Sequence, residues 1–320
     1  MNHREQVKHL WINGIISMMA VLFGVTALVF CMSQFVRGDI AEAVVLQRGL
    51  EPIPQQIELV KEELGLNDSL PVQYVRWVSK ALQGDLGTSY RTGQPVWYEL
   101  WIRFDKTLAL AISSATVALL VTLFLGIGSI TDRSGMIRRL CSVLIMVGTS
   151  IPTFVLSLGF IYLFAIRLQW VNVIYSDSLG QKILPVLTLA LAILPASLKV
   201  FQTSLDEQIN QLYVTVLKSR GYSLHHILYK DVLKASLAPW LTQFSMTLGH
   251  LLGGSVMVET IYGIGGIGQF MMSSILNRDY PVISGYVLIM GIIFVLLHQL
   301  VELISRVLYP YRYVLKRNRS

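Results

Sequence analysis

The chain contains 320 residues, of which 53% are hydrophobic and only 14% are charged, and its net charge is +7. Soluble domains carry about a quarter charged residues and disordered chains have fewer apolar residues, so a membrane protein is predicted instead. The 26 Lys and Arg residues lie between apolar runs rather than on one basic face, which argues against nucleic-acid binding.

Six stretches of the sequence are long and apolar enough to cross a bilayer as helices, which takes about 20 residues. No small-residue cleavage site follows the first stretch, so it is expected to remain as a membrane anchor. The fourth stretch contains Pro185 and Pro195, which membrane helices tolerate when neighbours satisfy the freed carbonyl groups. The predicted spans are residues 10–33, 104–130, 140–164, 183–201, 240–261 and 282–308.

The distribution of basic residues predicts that both termini are cytoplasmic. Fifteen of the Lys and Arg residues fall on one side of these spans, against only Arg167, Lys182 and Arg278 in the opposite short loops. Cytoplasmic loops carry such an excess of basic residues. The predicted divisions are the N-terminus with the first helix (1–33), an extracytoplasmic region (34–103), a five-helix core (104–308) with a cytoplasmic loop (204–239), and a basic tail (309–320).

The outer hydrophilic region between the first two spans contains two amphipathic stretches, residues 55–64 and 72–82. A turn-rich segment follows at residues 84–89, where Gly84 and Gly87 flank Asp85 and Leu86. Two roles remain open for this region. It is either a cap over the outer ends of the helices or a surface on which an extracytoplasmic partner docks.

The inner loop, residues 204–239, is predicted to form two short helices around Gly221. Leu212 and Val216 recur at helical spacing before the glycine, and Ser223 after it is a typical N-cap residue. An amphipathic helix on the cytosolic face needs a cover for its apolar stripe. That cover is either the bundle of this chain or the groove of a separate subunit.

Glycines are concentrated in and after the fifth span. Those within the span predict a small-residue face that packs helices in membranes, and those after it predict a tight outer turn. Gly263, Gly265 and Gly268 match G-x-G-x-x-G, but they follow an apolar stretch rather than a strand, which excludes a dinucleotide site. The packing or turn candidates are Gly249, Gly253, Gly254, Gly263, Gly266 and Gly268.

His250, Met257 and Glu259 are candidates for the transport pathway or a gate, because ionisable residues inside a membrane are costly to bury. Glu259 lies near the outer boundary, where a hydrated position is an equal alternative. His250 and the methionines of this span allow a metal route, but methionine at such positions is more often a packing residue. A metal role therefore stays undecided.

Residues 213–221, followed after 17 residues by Pro239, resemble the EAA loop of ABC-importer permeases. The subfamily is the one that moves oligopeptides, dipeptides, nickel and metal chelates. Residues 84–89, 183–187 and 249–282 resemble the same permeases in the same order along the chain. Leu217 and Ser219 depart from the small residues usual in this loop, which affects contact details rather than the class.

The resemblance implies an all-α, six-span permease of the type I importer fold in the inner membrane, forming half of a pore with a second homologous permease. It implies two ATP-binding subunits and an extracytoplasmic solute-binding protein as partners. The sequence has no G-x-x-x-x-G-K-[ST] loop, so ATP and Mg²⁺ are expected on the partner subunits and the chain is not expected to be an enzyme. The implied contacts with the ATPase are Tyr213, Val214, Val216, Leu217, Lys218, Ser219, Arg220 and Gly221.

The substrate is not determined by these motifs. The short outer loop, residues 167–182, resembles nickel-type members slightly more than dipeptide members, so the interpretation leans toward nickel or a metal chelate over a peptide. A secondary transporter is a weaker alternative because no convincing inverted repeats are found. An intramembrane serine protease built on Ser255 and His298 is weaker still, since Val256 replaces the glycine that such a site needs.

Overall fold

In the computed structural model the protein is a helical assembly over the described residues, which are 19–21, 23–28, 30–31, 40–132, 134–171 and 179–308. Side chains at 40, 43, 47, 179–181, 245, 250, 254 and 301–308 are outside this description. So are the predicted basic tail (309–320), most of the N-terminal segment and the middle of the loop 167–182. The helices are α1 (Met19–Leu28), α2 (Ile40–Gln47), α3 (Pro54–Leu64), α4 (Leu70–Leu82), α5 (Val96–Thr131), α6 (Met136–Ser150), α7 (Thr153–Phe160), α8 (Leu179–Ile209), α9 (Leu212–Ser219), α10 (Leu224–His226), α11 (Leu233–Tyr262), α12 (Ile267–Leu276) and α13 (Tyr280–Leu308), with π-helical segments at Ile161–Arg167 and Ile227–Val232.

The chain divides into two compact units. One consists of Met1–Asp105 with Gly265–Val295, and the other of Lys106–Ile264 with Leu296–Ser320. In the first unit, α2 packs on α3 through a small core of Ala41, Val44, Val45 and Val60. A larger core joins the start of α5 to α12 and α13, and its buried members are Leu86, Val96, Leu100, Ile267, Phe270, Val282 and Tyr286.

The second unit is held together by close helix packing at small residues. A Cβ atom on Gly126 of α5 would lie 2.3 Å from the ring of Phe201 on α8, and one on Gly148 would lie 2.3 Å from Pro195. Only glycine therefore fits at these two positions. In a membrane, where lipid is as apolar as leucine, such close approach is a main source of helix association.

Hydroxyl groups link the helices of the second unit in its interior. Trp240 of α11 donates a hydrogen bond to the Ser197 hydroxyl of α8 (2.9 Å), and Thr122 of α5 donates to the same oxygen (3.2 Å). The hydroxyls of Ser204 and Ser236 each donate to the other residue's carbonyl at 3.2 Å. These buried groups thus satisfy one another, as a membrane interior requires.

Among the described residues, three helices are long and apolar enough to cross a membrane, and a bent helix pair is a fourth if it counts as one span. The three are within α5, α8 and α13. The fourth predicted span is confirmed as one continuous helix, although Pro185 and Pro195 lie inside it. Much of the first predicted span lies outside the described residues, and the count of six is not confirmed.

The third predicted span, residues 140–164, was expected to be one helix, and this is wrong. Helix α6 ends at Ser150, and the following pair Thr153–Arg167 is bent from it by 104°. The break has a local cause, because the ring of Pro152 disfavours the helical conformation at the preceding residue. Ile151 is accordingly extended, with φ −96° and ψ 118°.

Candidate functional site

The inner loop forms the predicted pair of short helices around Gly221. Helix α9 ends at Ser219, and the amides of Gly221 and Tyr222 bond back to the carbonyls of Lys218 (3.0 Å) and Leu217 (3.2 Å). Gly221 has φ +82°, a left-handed conformation that glycine adopts without strain and that commonly closes a helix. The glycine therefore sets the direction in which the chain leaves α9.

Ser223 begins the next helix as the sequence predicts, because its hydroxyl accepts a hydrogen bond from the amide of His226 at 3.3 Å. The helix continues into the π-helical segment, whose Ile227, Leu228 and Val232 are all buried. These three side chains anchor the second half of the inner loop in the second unit.

Helix α9 has one face toward the chain and one face away from it. Val214 is 1% exposed, whereas Leu212 is 76% and Val216 is 43% exposed. Thr215 and Ser219 share the outward face, and successive residues at 100° place these four within one side of the helix. Within the described part of the chain, the predicted apolar stripe is therefore left uncovered.

The remaining members of the predicted contact set lie around this face. Tyr213 and Leu217 are half-buried, while Lys218 and Arg220 are exposed at the end of α9. Burial raises the pKa of the Tyr213 phenol, and the charge of Asp231 adds to that rise. The phenol is thus neutral at physiological pH.

Glu259 is fully buried in α11 rather than hydrated at the membrane surface. Its Oε1 accepts hydrogen bonds from the hydroxyls of Thr107 on α5 and Ser255 on α11, both at 2.8 Å. A buried carboxylate is tolerated only where donors satisfy it. The carboxyl group therefore joins two helices of the second unit, and a role in the pathway stays a prediction.

Of the other two pathway candidates, the one whose side chain is described does not lie beside Glu259. Met257 is exposed, on the opposite side of α11 from the buried carboxylate. His250 lies in the same helix, but its side chain is outside the described residues. Among the described residues, no group of three or more His, Cys, Asp and Glu side chains is placed to hold a metal ion.

The predicted glycines divide into turn residues and helix residues. Gly263 ends α11 at φ +68° and Gly265 follows at φ +71°, both in the left-handed region that glycine adopts without strain. Gly266 precedes α12 in extended backbone, and Gly268 is buried within that helix. A Cβ atom on Gly253 would meet none of the described residues within 4 Å. Gly249 and Gly254 are helical residues of α11.

The sequence reasoning missed Asp279, a buried acid that holds the outer turn, here defined as residues 84–95. Asp279 accepts hydrogen bonds from the Ser89 hydroxyl (2.5 Å) and the amides of Tyr90 (3.1 Å) and Arg91 (3.5 Å). Burial, with the nearby Asp279 charge, raises the pKa of Tyr90 to about 12. The only sequence signal was an Asp before a helix, which typically caps that helix instead.

Two family models match the chain, and together they cover most of it. The model described as binding-protein-dependent transport system inner membrane component matches residues 118–311, and its N-terminal counterpart matches residues 8–111. The chain belongs to this family. It is therefore an ABC importer permease and a multi-pass inner-membrane protein, a transport subunit rather than an enzyme, as the sequence predicted.

Relatives of this permease carry peptide or glutathione names. The glutathione transport system permease protein GsiC of Salmonella paratyphi A is 32% identical, over 92% of this chain and 96% of the relative. The probable peptide ABC transporter permease protein y4tP of Sinorhizobium fredii is 30% identical, over 92% of this chain and 96% of that protein. The lean toward nickel finds no support in these names.

A solved structure shares the fold of the permease. The inward-facing MetNI methionine ABC transporter is similar with a TM-score of 0.53 at 20% identity, over 66% of this chain and 96% of that chain. The likeness places the fold among ABC importer permeases, as predicted.

Proposed function

We propose that the chain forms half of a translocation pathway for peptides, glutathione-like peptides included, and that ATPase subunits drive it through α9. The observation that carries this proposal is the uncovered outward face of α9, with Leu212 and Val216 exposed beside Gly221. A short amphipathic helix with an open apolar face fits a groove in another subunit.

The coupling follows from how the inner loop is fixed to the rest of the chain. Val214 and the buried residues Ile227, Leu228 and Val232 tie the loop to the second unit, whose α8 and α11 pack together. A force applied to the outward face of α9 is therefore passed into packed helices rather than absorbed by a loose connection. Rigid packed elements transmit such displacements because their interiors deform little.

The remaining components of the proposed transporter are separate subunits. ATP and Mg²⁺ belong to the two partner ATPase subunits, because the chain has no phosphate-binding loop. A second homologous permease completes the pore, and an extracytoplasmic binding protein delivers the substrate. The excess of basic residues in the predicted cytoplasmic segments supports an orientation with both termini inside the cell.

A peptide substrate is favoured over nickel by the names of the relatives, since GsiC is called a glutathione permease and y4tP a peptide permease. The two classes separate in an uptake assay with the assembled transporter. Cells that express the chain with its partner subunits are expected to accumulate labelled glutathione or tripeptide and not radiolabelled nickel. Nickel uptake without peptide uptake would reject the substrate part of the proposal.

Cross-linking tests the coupling part directly. In a chain with Cys31→Ser and Cys141→Ala, a cysteine at Leu212 is expected to cross-link to an ATPase subunit. The matched control is a cysteine at Met136, which is also strongly exposed, at the start of α6. Equal cross-linking at both positions, or none at Leu212, would contradict a specific contact through α9.

A further inference from the structure

Helix α4 of the outer region has one face bound to the membrane anchor of this chain. The Tyr74 hydroxyl lies 2.8 Å from the Thr26 hydroxyl, and the Tyr74 ring packs edge-on against Phe23 and Phe30, with centroids 6.3 and 5.4 Å away. Ala81, the next-to-last residue of α4, packs against the core formed by the start of α5, α12 and α13. The inner face of α4 thus lies against α1 and this core, although none of its side chains is fully buried.

These contacts set the depth of α4 relative to the bilayer. The predicted first span ends at Ser33, and Thr26 precedes that end by seven residues. At 1.5 Å per residue, the prediction places Thr26 about 10 Å inside the outer end of that span. A helix whose tyrosine bonds to Thr26 lies beside the outer end of the span rather than above the membrane. The aromatic residues Tyr74 and Trp77 are typical of this interfacial level.

Within the described residues, the opposite face of α4 is uncovered and mainly apolar, with Ser79 as its one polar side chain. Val72, Val75 and Leu82 are 47%, 65% and 84% exposed. On a helical wheel these three side chains fall within about 80° of one another. Arg76 and Lys80 lie along one edge of this strip. An amphipathic helix with this arrangement is typical of segments that lie in the plane of a membrane interface.

The charges beside the strip balance. Arg76 forms an ion pair with Asp68, and Lys80 and Asp85 line the same cavity of about 290 Å³. Two basic and two acidic side chains therefore lie close together, and their charges sum to zero. A surface without net charge gives a charged protein partner little electrostatic guidance. It also removes any need for anionic lipid, because burial of the apolar strip alone favours the interface.

We propose that α4 is an interfacial helix whose Val72, Val75 and Leu82 lie among the phospholipids of the outer leaflet. The occupant of this face is lipid rather than the binding protein or the second permease. The role of such a contact is to fix the outer region at the membrane surface. This inference does not depend on the coupling through α9 or on the substrate.

Site-directed spin labelling of the assembled transporter in phosphatidylcholine nanodiscs tests the proposal. In a chain with Cys31→Ser and Cys141→Ala, nitroxides are placed at Val75→Cys and, as a control, at Glu62→Cys on the exposed side of α3. Oxygen concentrates in lipid, and a water-soluble nickel chelate stays in water. The ratio of oxygen to chelate collisions is expected to be several-fold higher at position 75 than at position 62, with a depth of about 5–10 Å below the phosphates.

Each other result overturns the proposal. Low collision rates for both reagents at position 75 would mean that protein covers the strip. Low rates that appear only after binding protein is added would identify the strip as a docking surface for it. A high chelate rate would place the strip in water. A lipid contact that requires phosphatidylglycerol would overturn the argument from balanced charge.

Discussion

The outer turn and the inner loop are both short segments outside the predicted spans, and both depend on glycine. Gly87 and Gly93 have φ values of +82° and +68° in the outer turn, and Gly221 has φ +82° in the inner loop. The outer turn is closed on its own unit by the buried carboxylate of Asp279. The inner loop leaves one face of α9 open. A segment that completes its contacts within the chain is a structural element, and one that does not is expected to find its contacts in another subunit.

The largest effect on uptake is expected from Gly221→Pro, which tests the inner loop. Proline fixes φ near −65° and cannot adopt +82°, so the chain must leave α9 in another direction. Uptake by the assembled transporter is expected to fall by about tenfold or more, because a redirected α9 no longer presents its outward face to the partner subunit. ATP hydrolysis by the complex and membrane insertion are expected to persist.

Gly135→Pro is the matched control for this change. Gly135 also has a positive φ, +70°, and a Cβ atom there meets nothing within 4 Å, as at Gly221. It lies immediately before α6. Uptake that falls equally in both variants would show a general folding defect, and normal uptake by Gly221→Pro would remove the coupling role.

The outer turn is tested by Asp279→Ala, which leaves the Ser89 hydroxyl and the amides of Tyr90 and Arg91 without their acceptor. Unsatisfied buried donors cost about 1–3 kcal/mol, so the opening free energy of the outer turn is expected to fall by about 3 kcal/mol. Hydrogen exchange of the amides at residues 87–95 measures this loss. Asp279→Asn keeps an acceptor oxygen and is expected to restore part of the protection. Unchanged exchange in Asp279→Ala would show that the hydrogen bonds to Asp279 do not close the outer turn.

The contrast between these segments also separates what the sequence predicted from what it did not. Gly221 and Ser223 act through local backbone geometry, so their roles were predictable from neighbouring residues. Ser89 and Asp279 are 190 positions apart, and nothing local identifies the acid as the partner of the turn. Similarly, helical spacing identified Leu212 and Val216 as a stripe, but only the fold decides that Val214 is the buried residue.

The same limit applies to the membrane core. The apolar runs predicted α5, α8 and α13, because length and composition suffice for that purpose. The glycine-rich fifth span led to the prediction of close packing, and among the described glycines of the second unit the closest approaches are at Gly126 and Gly148, on other helices. Whether a glycine faces a neighbour depends on helix rotation, which an apolar run without a polar face does not specify.

A smaller effect is expected from alkaline pH on the outer turn. The free phenol has a pKa of 10, and burial beside Asp279 raises that of Tyr90 to about 12. Folding therefore favours the neutral phenol. This stabilisation is complete below pH 10 and is lost progressively as the pH rises to about 12, amounting to roughly 2–3 kcal/mol. The measurement is the melting temperature of the purified transporter against pH.

Tyr90→Phe isolates this contribution from the other tyrosines. Phenylalanine has no proton to lose, so the variant is expected to lose less stability than the parent chain between pH 10 and 12. Asp279→Asn removes a charge that opposes ionisation and is expected to lower the pH at which Tyr90 titrates. Identical pH profiles for the parent and Tyr90→Phe would mean that the phenol is not held neutral by its surroundings.

The smallest effect on stability separates the two faces of α9. Val214→Ala removes two buried methyl groups and is expected to lower the unfolding free energy by about 1–2 kcal/mol. Val216→Ala removes the same atoms from the exposed face, where substitutions usually stay within about 0.5 kcal/mol. Transport is expected to show the opposite order, because only Val216 is available to a partner subunit. The melting temperature and the ratio of uptake to ATP hydrolysis, measured on both variants, test which face of α9 acts in coupling. If Val216→Ala left that ratio unchanged and only Val214→Ala reduced it, α9 would act through its buried face, and the distinction between a closed outer turn and an open inner loop would fail.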